Sequence, residues 1–269
     1  MFVFIAVLLS LFICLVMLYL SSKRKSSYQQ KYDLITDLRN IVTSCRQHRS
    51  ASHYLLYYGN PKSHEILLLE KGMSTTTKTL ISKAHFDNKP IYRILFSKLT
   101  NLIAEWEHMT ISQNQMSHGR VIRHCIFLID EVILAWLVES QRVDLVDEYN
   151  LSWHQINDSL ESLTQFRVAI QDVNTANGIA KLNPHAKLMV NRLNQLALIN
   201  PLAIASPACS LLCRHLEGMS ESKELEFTQE QLYKMSTEAS LVIFNTYDFL
   251  LSNIAESIYV PLPKLAVSI

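Results

Sequence analysis

The sequence predicts an all-α protein in which an N-terminal transmembrane helix precedes one or two antiparallel helical bundles. Composition is the first reason, since the 269 residues are 49% hydrophobic and 18% charged but include only 5 glycines and 7 prolines. Such a chain is poor in turn residues. The second reason is an uncharged apolar block at the N-terminus, and the third is the helical spacing of apolar residues in the segments that follow.

The first element is the block MFVFIAVLLSLFICLVMLYL, residues 1–20, which carries no charged side chain. About 20 apolar residues suffice to cross a bilayer core as a helix, so we expect a membrane span. A basic juxtamembrane segment, residues 21–27, follows with Lys23, Arg24 and Lys25. The positive-inside rule then predicts a single-pass protein whose C-terminal domain is cytoplasmic. A cleaved signal peptide is the alternative, but a basic n-region and a small-x-small cleavage site are not visible.

Caps and prolines divide residues 28–258 into eight predicted helices, and a C-terminal tail covers residues 259–269. The first helix ends at the turn YGNP, and several later ones begin next to a proline. The predicted ranges are 28–58, 62–84, 90–111, 115–141, 143–173, 185–199, a short helix after the break between Pro201 and Pro207, and 228–257.

Composition also argues against several function classes. With so few glycines, the sequence has no G-x-G-x-x-G motif, no P-loop and no G-x-S-x-G elbow. A formal net charge of +1 provides no field that would attract nucleic acid. Five cysteines without a spacing framework suggest reduced thiols. Cys209, Cys213 and His215 lack a second ligand pair, and the ten histidines are scattered. We therefore expect no catalytic residue, cofactor or metal.

Two arginines fall among apolar residues on predicted helix faces. The seam of the first bundle helix alternates spacings of three and four and consists of Leu34, Leu38, Ile41, Cys45, His48, Ser52 and Leu55. A flanking line at intervals of seven consists of Ile35, Val42, Arg49 and Leu56. We therefore expect Arg49 to point towards the bundle. A third line, made of Arg39, Arg46 and His53, is wholly polar, which predicts that Arg46 is a solvated surface charge.

The second arginine is Arg167, which interrupts an apolar stripe of Trp153, Ile156, Leu160, Leu163 and Ile170. A buried guanidinium is costly without an anion. Two inward arginines with five donors each could clamp a small planar oxyanion. A structural alternative stays open, in which an arginine reaches solvent along its stem or pairs with a core carboxylate, Asp130 or Glu131. Arg192 is a weaker third candidate for a residue that binds the anion.

These residues resemble the motifs of a known family, the nitrate- and nitrite-sensing domain. RQHRSAS, residues 46–52, is similar to the family motif Q-x-E-R-G-x-S, with Arg49 and Ser52 at its arginine and serine. LESLTQFR, residues 160–167, is similar to K-E-x-x-G-x-E-R and matches it at Glu161 and Arg167. Other motif positions, two glutamates, two glycines and a lysine, are replaced here, by His48, Phe166, Ser50, Thr164 and Leu160.

The resemblance covers residues 28–258 in length and helix order, and it implies two four-helix bundles with Arg49 and Arg167 flanking a nitrate site. Together with the N-terminal span, the resemblance predicts a membrane-anchored sensor of a small oxyanion, with nitrate or nitrite as the favoured ligand. Such a sensor would signal through an output protein or a homo-oligomer, because the chain carries no output segment that we recognise. The alternative is a membrane-tethered structural or protein-interaction bundle with no small ligand.

Overall fold

The computed structural model describes residues 2–59, 63–175, 177–221 and 227–265, and over these ranges the protein is all-α. The predicted fold class is therefore confirmed. The nine α-helices of the described residues are α1 Phe2–Tyr58, α2 His64–Lys83, α3 Lys89–Glu105, α4 Ile111–Glu139, α5 Val146–Gln171, α6 Gly178–Gln195, α7 Pro201–Ile204, α8 Pro207–Glu221 and α9 Gln229–Ile258.

The long helices form two four-helix bundles. In the first bundle, the C-terminal half of α1 packs on α2 and α4, and α3 lies between α2 and α4. In the second, α5 packs on α6 and α9, and α8 lies between α6 and α9. Contacts between α4 and α5 join the bundles, and one hydrophobic core cluster includes residues of both. The bundle expectation is thus confirmed as two bundles.

Helix α1 belongs to the first bundle but also runs antiparallel along α9 of the second. Gln29 lies near the end of α9, where it accepts a hydrogen bond from Tyr259 at 2.9 Å. Further along, Arg39 donates to Asp248 at 2.9 Å, and Tyr54 donates to Glu230 at 3.2 Å. The polar line of α1 therefore faces a helix of the other bundle, which brings polar side chains of both bundles together.

The N-terminal part of α1 is long and apolar enough to cross a membrane, and its side chains are exposed. The helix continues without a break through Lys23, Arg24 and Lys25 into the first bundle, over 57 residues in all. Its path ends at Gly59, which has a positive φ of 66° that favours glycine. One continuous helix therefore joins the apolar segment to the first bundle.

Two predicted helix starts differ from the structure. The helix expected from residue 115 begins at Ile111, after the cap Thr110. Helix α6 was expected to begin at residue 185, after a proline, but it begins at Gly178 and contains Pro184 in its interior. A proline there removes one backbone hydrogen bond. Leu182 and Ala186, one turn apart across the proline, are both fully buried, and this burial stabilises helix on both sides of it. The described residues also contain one helix that was not predicted. This is the single turn α7, which lies inside the expected break between two prolines.

Two capping boxes set the register of the helices that face the second half of α1. Thr110 and Gln113 exchange side-chain and backbone hydrogen bonds at the start of α4, and Thr228 and Gln231 do the same at the start of α9. With α9 begun at this residue, Ser236 and Ser240 lie four positions apart and share one helix face. That face is turned towards α1 and α5.

Candidate functional site

A cleft of about 310 Å³ lies where the two bundles meet. Its walls come from α1, α4, α5 and α9. The arginines at this cleft are Arg46 and Arg49 from α1 and Arg167 from α5, and the polar side chains between them include His53, Gln115, Ser236 and Ser240. The structure thus brings the two arginines singled out in the sequence to a single site.

Arg49 is 8% exposed, in agreement with the expectation that it points inward. Two other members of its line, Ile35 and Val42, are buried in the core. At the cleft, Arg49 Nη2 lies 3.5 Å from Ser240 Oγ, a long contact for a hydrogen bond. This contact uses one of the five N–H donors of the Arg49 guanidinium.

Arg167 is 6% exposed and its stripe is buried as predicted. Its Nε donates to Ser236 Oγ at 3.1 Å, and its Nη2 donates to the Ser236 carbonyl oxygen at 3.0 Å. The Ser236 hydroxyl in turn donates to the carbonyl of Tyr233 at 2.7 Å. These bonds hold the guanidinium plane of Arg167 against α9 without neutralising its charge.

Among the described residues, neither Arg49 nor Arg167 forms an ion pair. Glu161, the acid of the second motif, pairs with Arg123 at 2.6 Å. Asp130 lies beside Tyr149, and Glu131 is exposed near Tyr92. The acidic residues considered as internal partners for the arginines therefore lie elsewhere, and the structural alternative loses its two named carboxylates.

The two arginines hold positive charge where water is scarce. Burial lowers the pKa of Arg49 to about 10. Burial, followed by the charges of Arg49 and Arg46, lowers the pKa of Arg167 well below its usual value. A guanidinium nonetheless stays protonated in proteins. The lowered pKa values therefore mean that the folded state carries a free-energy cost at this cleft, which a bound anion would relieve.

Arg46 was expected to be a solvated surface charge, and that prediction is wrong. Its guanidinium stacks on the Phe244 ring at 4.1 Å from the ring centroid, and its buried Nε has no hydrogen-bond partner among the described residues. Burial and the charge of Arg49 lower its pKa to about 10, against the opposing attraction of Asp248. The polar line of α1 is covered by α9, so polarity on a helix face did not indicate exposure here.

Arg192, the weaker candidate, is not at the cleft. It is partly exposed and pairs with Asp158 at 3.2 Å. The motif serine, Ser52, also faces away from the arginines, because it donates to the carbonyl of Arg49 and accepts from Asn114 at 3.0 Å. Ser52 therefore positions the backbone behind Arg49 and does not line the cleft.

The first bundle contains a buried polar network that the scattered positions of the histidines in the sequence did not indicate. His48 Nδ1 lies 2.7 Å from His118 Nε2, and His118 Nδ1 lies 2.8 Å from the carbonyl of Asn114. Glu70 accepts from Trp106 Nε1 at 2.9 Å and lies 3.4 Å from His48 Nε2. One signal was present, since His48 occupies an otherwise apolar and small-residue seam of α1.

The thiols and the possible metal ligands form no site in the described part of the chain. All five cysteines are free. Cys209 and Cys213 contact each other on α8, while His215 packs against the ring of Phe227. The described residues contain no group of three or more histidine, cysteine or carboxylate side chains arranged to hold a metal ion.

Fold and cleft together define an all-α protein of two four-helix bundles, with a long apolar N-terminal helix and a cationic cleft between the bundles. Comparisons with protein-family models, with curated proteins and with solved structures found no match for this chain. The likeness to nitrate- and nitrite-sensing domains accordingly depends on the short motifs around Arg49 and Arg167.

Proposed function

We propose that this protein is a membrane-anchored helical sensor of a small oxyanion, with nitrate and nitrite as the first ligands to test. The observation that carries the proposal is that Arg49 and Arg167 reach one cleft from different bundles without a carboxylate partner among the described residues. Fork-shaped guanidinium donors suit planar oxyanions because they can donate two parallel hydrogen bonds.

Signalling follows from where the arginines are attached. Arg49 is on α1, the helix that continues into the apolar N-terminal segment, and Arg167 is on α5, against Ser236 of α9. An anion between them would remove a repulsion across the bundle interface and favour a closer approach of α1 to α5 and α9. A change in the angle or rotation of α1 is then transmitted along a continuous helix to an output protein or a second copy. No catalytic step is part of this proposal.

The competing function is a membrane-tethered interaction module with no small ligand. It is favoured by the hydrogen bonds from Arg167 to Ser236, which show that a bundle contact alone can hold one of the guanidinium groups. On this interpretation the cleft is a structural feature, and anions have no specific effect on stability.

Thermal unfolding of the full-length protein in detergent separates the two functions. A ligand that binds only the folded state must raise the unfolding midpoint. We expect millimolar sodium nitrate or sodium nitrite to raise the midpoint relative to sodium chloride at equal ionic strength. Equal midpoints in all three salts, together with no heat of binding by calorimetry, would reject the sensor in favour of the interaction module.

A further inference from the structure

The third arginine at the cleft, Arg46, changes which anion fits best. It lies one helical turn before Arg49 on α1 and faces the same cleft. Its guanidinium carbon lies 4.1 Å from the centroid of the Phe244 ring, and its buried Nε is a donor with no partner among the described residues. Arg46 also occupies the position at which the family motif Q-x-E-R-G-x-S has a neutral glutamine, so this protein carries one positive charge more at that position.

The acidic residues at the cleft do not cancel these three charges. Asp248 is bound to Arg39 at 2.9 Å, and that pair is electrically neutral. Glu238 is exposed on the rim, where the exposed Lys234 matches its charge. What is left inside is an excess positive charge from Arg46, Arg49 and Arg167. A monovalent anion would compensate a third of it, and a divalent anion two thirds.

The volume of the cleft and the unused N–H donors of its arginines are also suited to a divalent anion. A volume of about 310 Å³, compared with the roughly 30 Å³ that one water occupies in the liquid, admits anions larger than nitrate together with bound water. A second negative charge is costly to dehydrate. Three guanidinium forks with unused N–H donors are the groups that offset that cost, because hydrogen bonds between two ions are the strong ones.

We propose that the cleft prefers a divalent oxyanion, such as sulfate or a small dicarboxylate, over a monovalent one, and that Arg46 determines this preference. The proposal rests on the proposed function, that the cleft binds an oxyanion at all. Sulfate and malonate share the recognised chemistry, which is two negative charges on oxygen atoms within one small molecule. They differ in whether both charges lie on one centre or on two.

Calorimetric titration of the full-length protein in detergent with sodium nitrate, sodium sulfate and sodium malonate, at constant ionic strength, tests the preference. We expect wild type to bind sulfate or malonate at least about tenfold more tightly than nitrate. Tighter binding of sulfate would show that the cleft prefers both charges on one central atom, and tighter binding of malonate would show that it prefers them on two carboxylates. Arg46→Gln should lose most of this ratio while it still binds nitrate.

Arg120→Gln is the matched control, because it removes an exposed arginine of α4 that lines a different cavity. It should keep the wild-type ratio. Arg46→Met is a second variant in case the first unfolds, since its apolar stem can still pack on Phe244. Nitrate bound as tightly as both divalent anions, or an unchanged ratio in the folded Arg46 variants, would overturn the inference and leave the oxyanion sensor standing. No binding of any anion would instead overturn the sensor.

Discussion

Arg49 and Arg167 project from helices of different bundles into the same cleft, and the charge of Arg49 contributes to lowering the pKa of Arg167. Two like charges are thus held together across the interface of the bundles. Among the described residues the contacts that hold them are hydroxyl and carbonyl groups of Ser236 and Ser240. Two like charges without a carboxylate between them among the described residues are expected of an anion-binding site and not of an internal ion pair.

Replacing either arginine by lysine should abolish anion binding without unfolding the protein. Arg49→Lys and Arg167→Lys keep the positive charge but lose the bidentate fork. We expect both variants to retain the wild-type helical circular dichroism and to lose the rise in unfolding midpoint that nitrate or nitrite gives wild type. Arg120→Lys on the surface of α4 is the control. A lysine variant that keeps the full anion-dependent rise would contradict a forked contact.

Removing the charge of Arg167 should cost little stability when no anion is present. Breaking a buried ion pair typically costs about 3–5 kcal/mol, because the abandoned partner stays charged. Arg167→Met strands no carboxylate among the described residues, and it relieves the repulsion from Arg46 and Arg49. We expect the free energy of unfolding, measured with urea in chloride buffer, to change by less than about 1.5 kcal/mol. A loss in the ion-pair range would mean that Arg167 has an anionic partner in the protein.

Periodicity predicted that Arg49 and Arg167 point inward, because each is the charged member of an otherwise apolar line, but it did not indicate that both reach a cleft between the bundles. The same reasoning failed for Arg46. Its line is polar and lies outside the first bundle, and a single helix pattern carries no information that α9 of another bundle covers it. Sequence spacing therefore identified the inward face of each helix but not the polar interface between the bundles.

The buried histidines of the first bundle also show that the pattern of one helix does not reveal which residues of other helices it contacts. His48 was visible as a seam position, but its partner His118 and the carboxylate of Glu70 come from two other helices. Which polar residues meet depends on the relative register of α1, α2 and α4. Capping residues fix where each helix begins. Contacts between residues 22 or 70 positions apart in the chain, however, are determined by how the helices pack in the bundle.

Anion binding should take up protons in mildly acidic solution. Burial, then Arg167 and Arg49, lower the pKa of His53 to about 4. An anion that offsets the two arginines raises the pKa of His53 from about 4 towards its ordinary value of about 6.5, so affinity increases as the pH falls from about 6.5 towards about 4. Calorimetry with nitrate in two buffers of different ionisation enthalpy measures the protons taken up. His53→Gln should bind with no uptake, and a wild type that binds without uptake would exclude this coupling.

The basic residues that follow the apolar segment predict the orientation of the protein in a membrane. If Lys23, Arg24 and Lys25 stay on the cytoplasmic side, the bundles lie in the cytoplasm. A reporter fused after Ile269 that is active only in the cytoplasm should then be active, and a reporter that needs export should be silent. Replacing the three basic residues by glutamine should weaken the orientation. Activity of the exported reporter in wild type would place the cleft on the other side.

The stability of the first bundle should fall in acid because of His118. Burial, followed by the charge of His48, lowers the pKa of His118 well below 6.5. In the unfolded chain this histidine titrates near its ordinary value, so below about pH 6.5 the unfolded state binds more protons than the native one. The stability that the neutral, buried imidazole contributes is therefore complete above that pH, and it is lost as the pH falls towards the pKa of His118 in the native state.

The test compares the slope of unfolding free energy against pH, measured with urea between about pH 7 and pH 5, in wild type and His118→Gln. One titrating group contributes at most about 1.4 kcal/mol per pH unit, so the variant should show a shallower slope by up to that amount. His118→Gln also changes the contacts with His48 and Asn114, which lowers stability at every pH and leaves the slope as the informative quantity. Parallel slopes for wild type and His118→Gln would show that the buried imidazole gains its proton in the native state as easily as in the unfolded one.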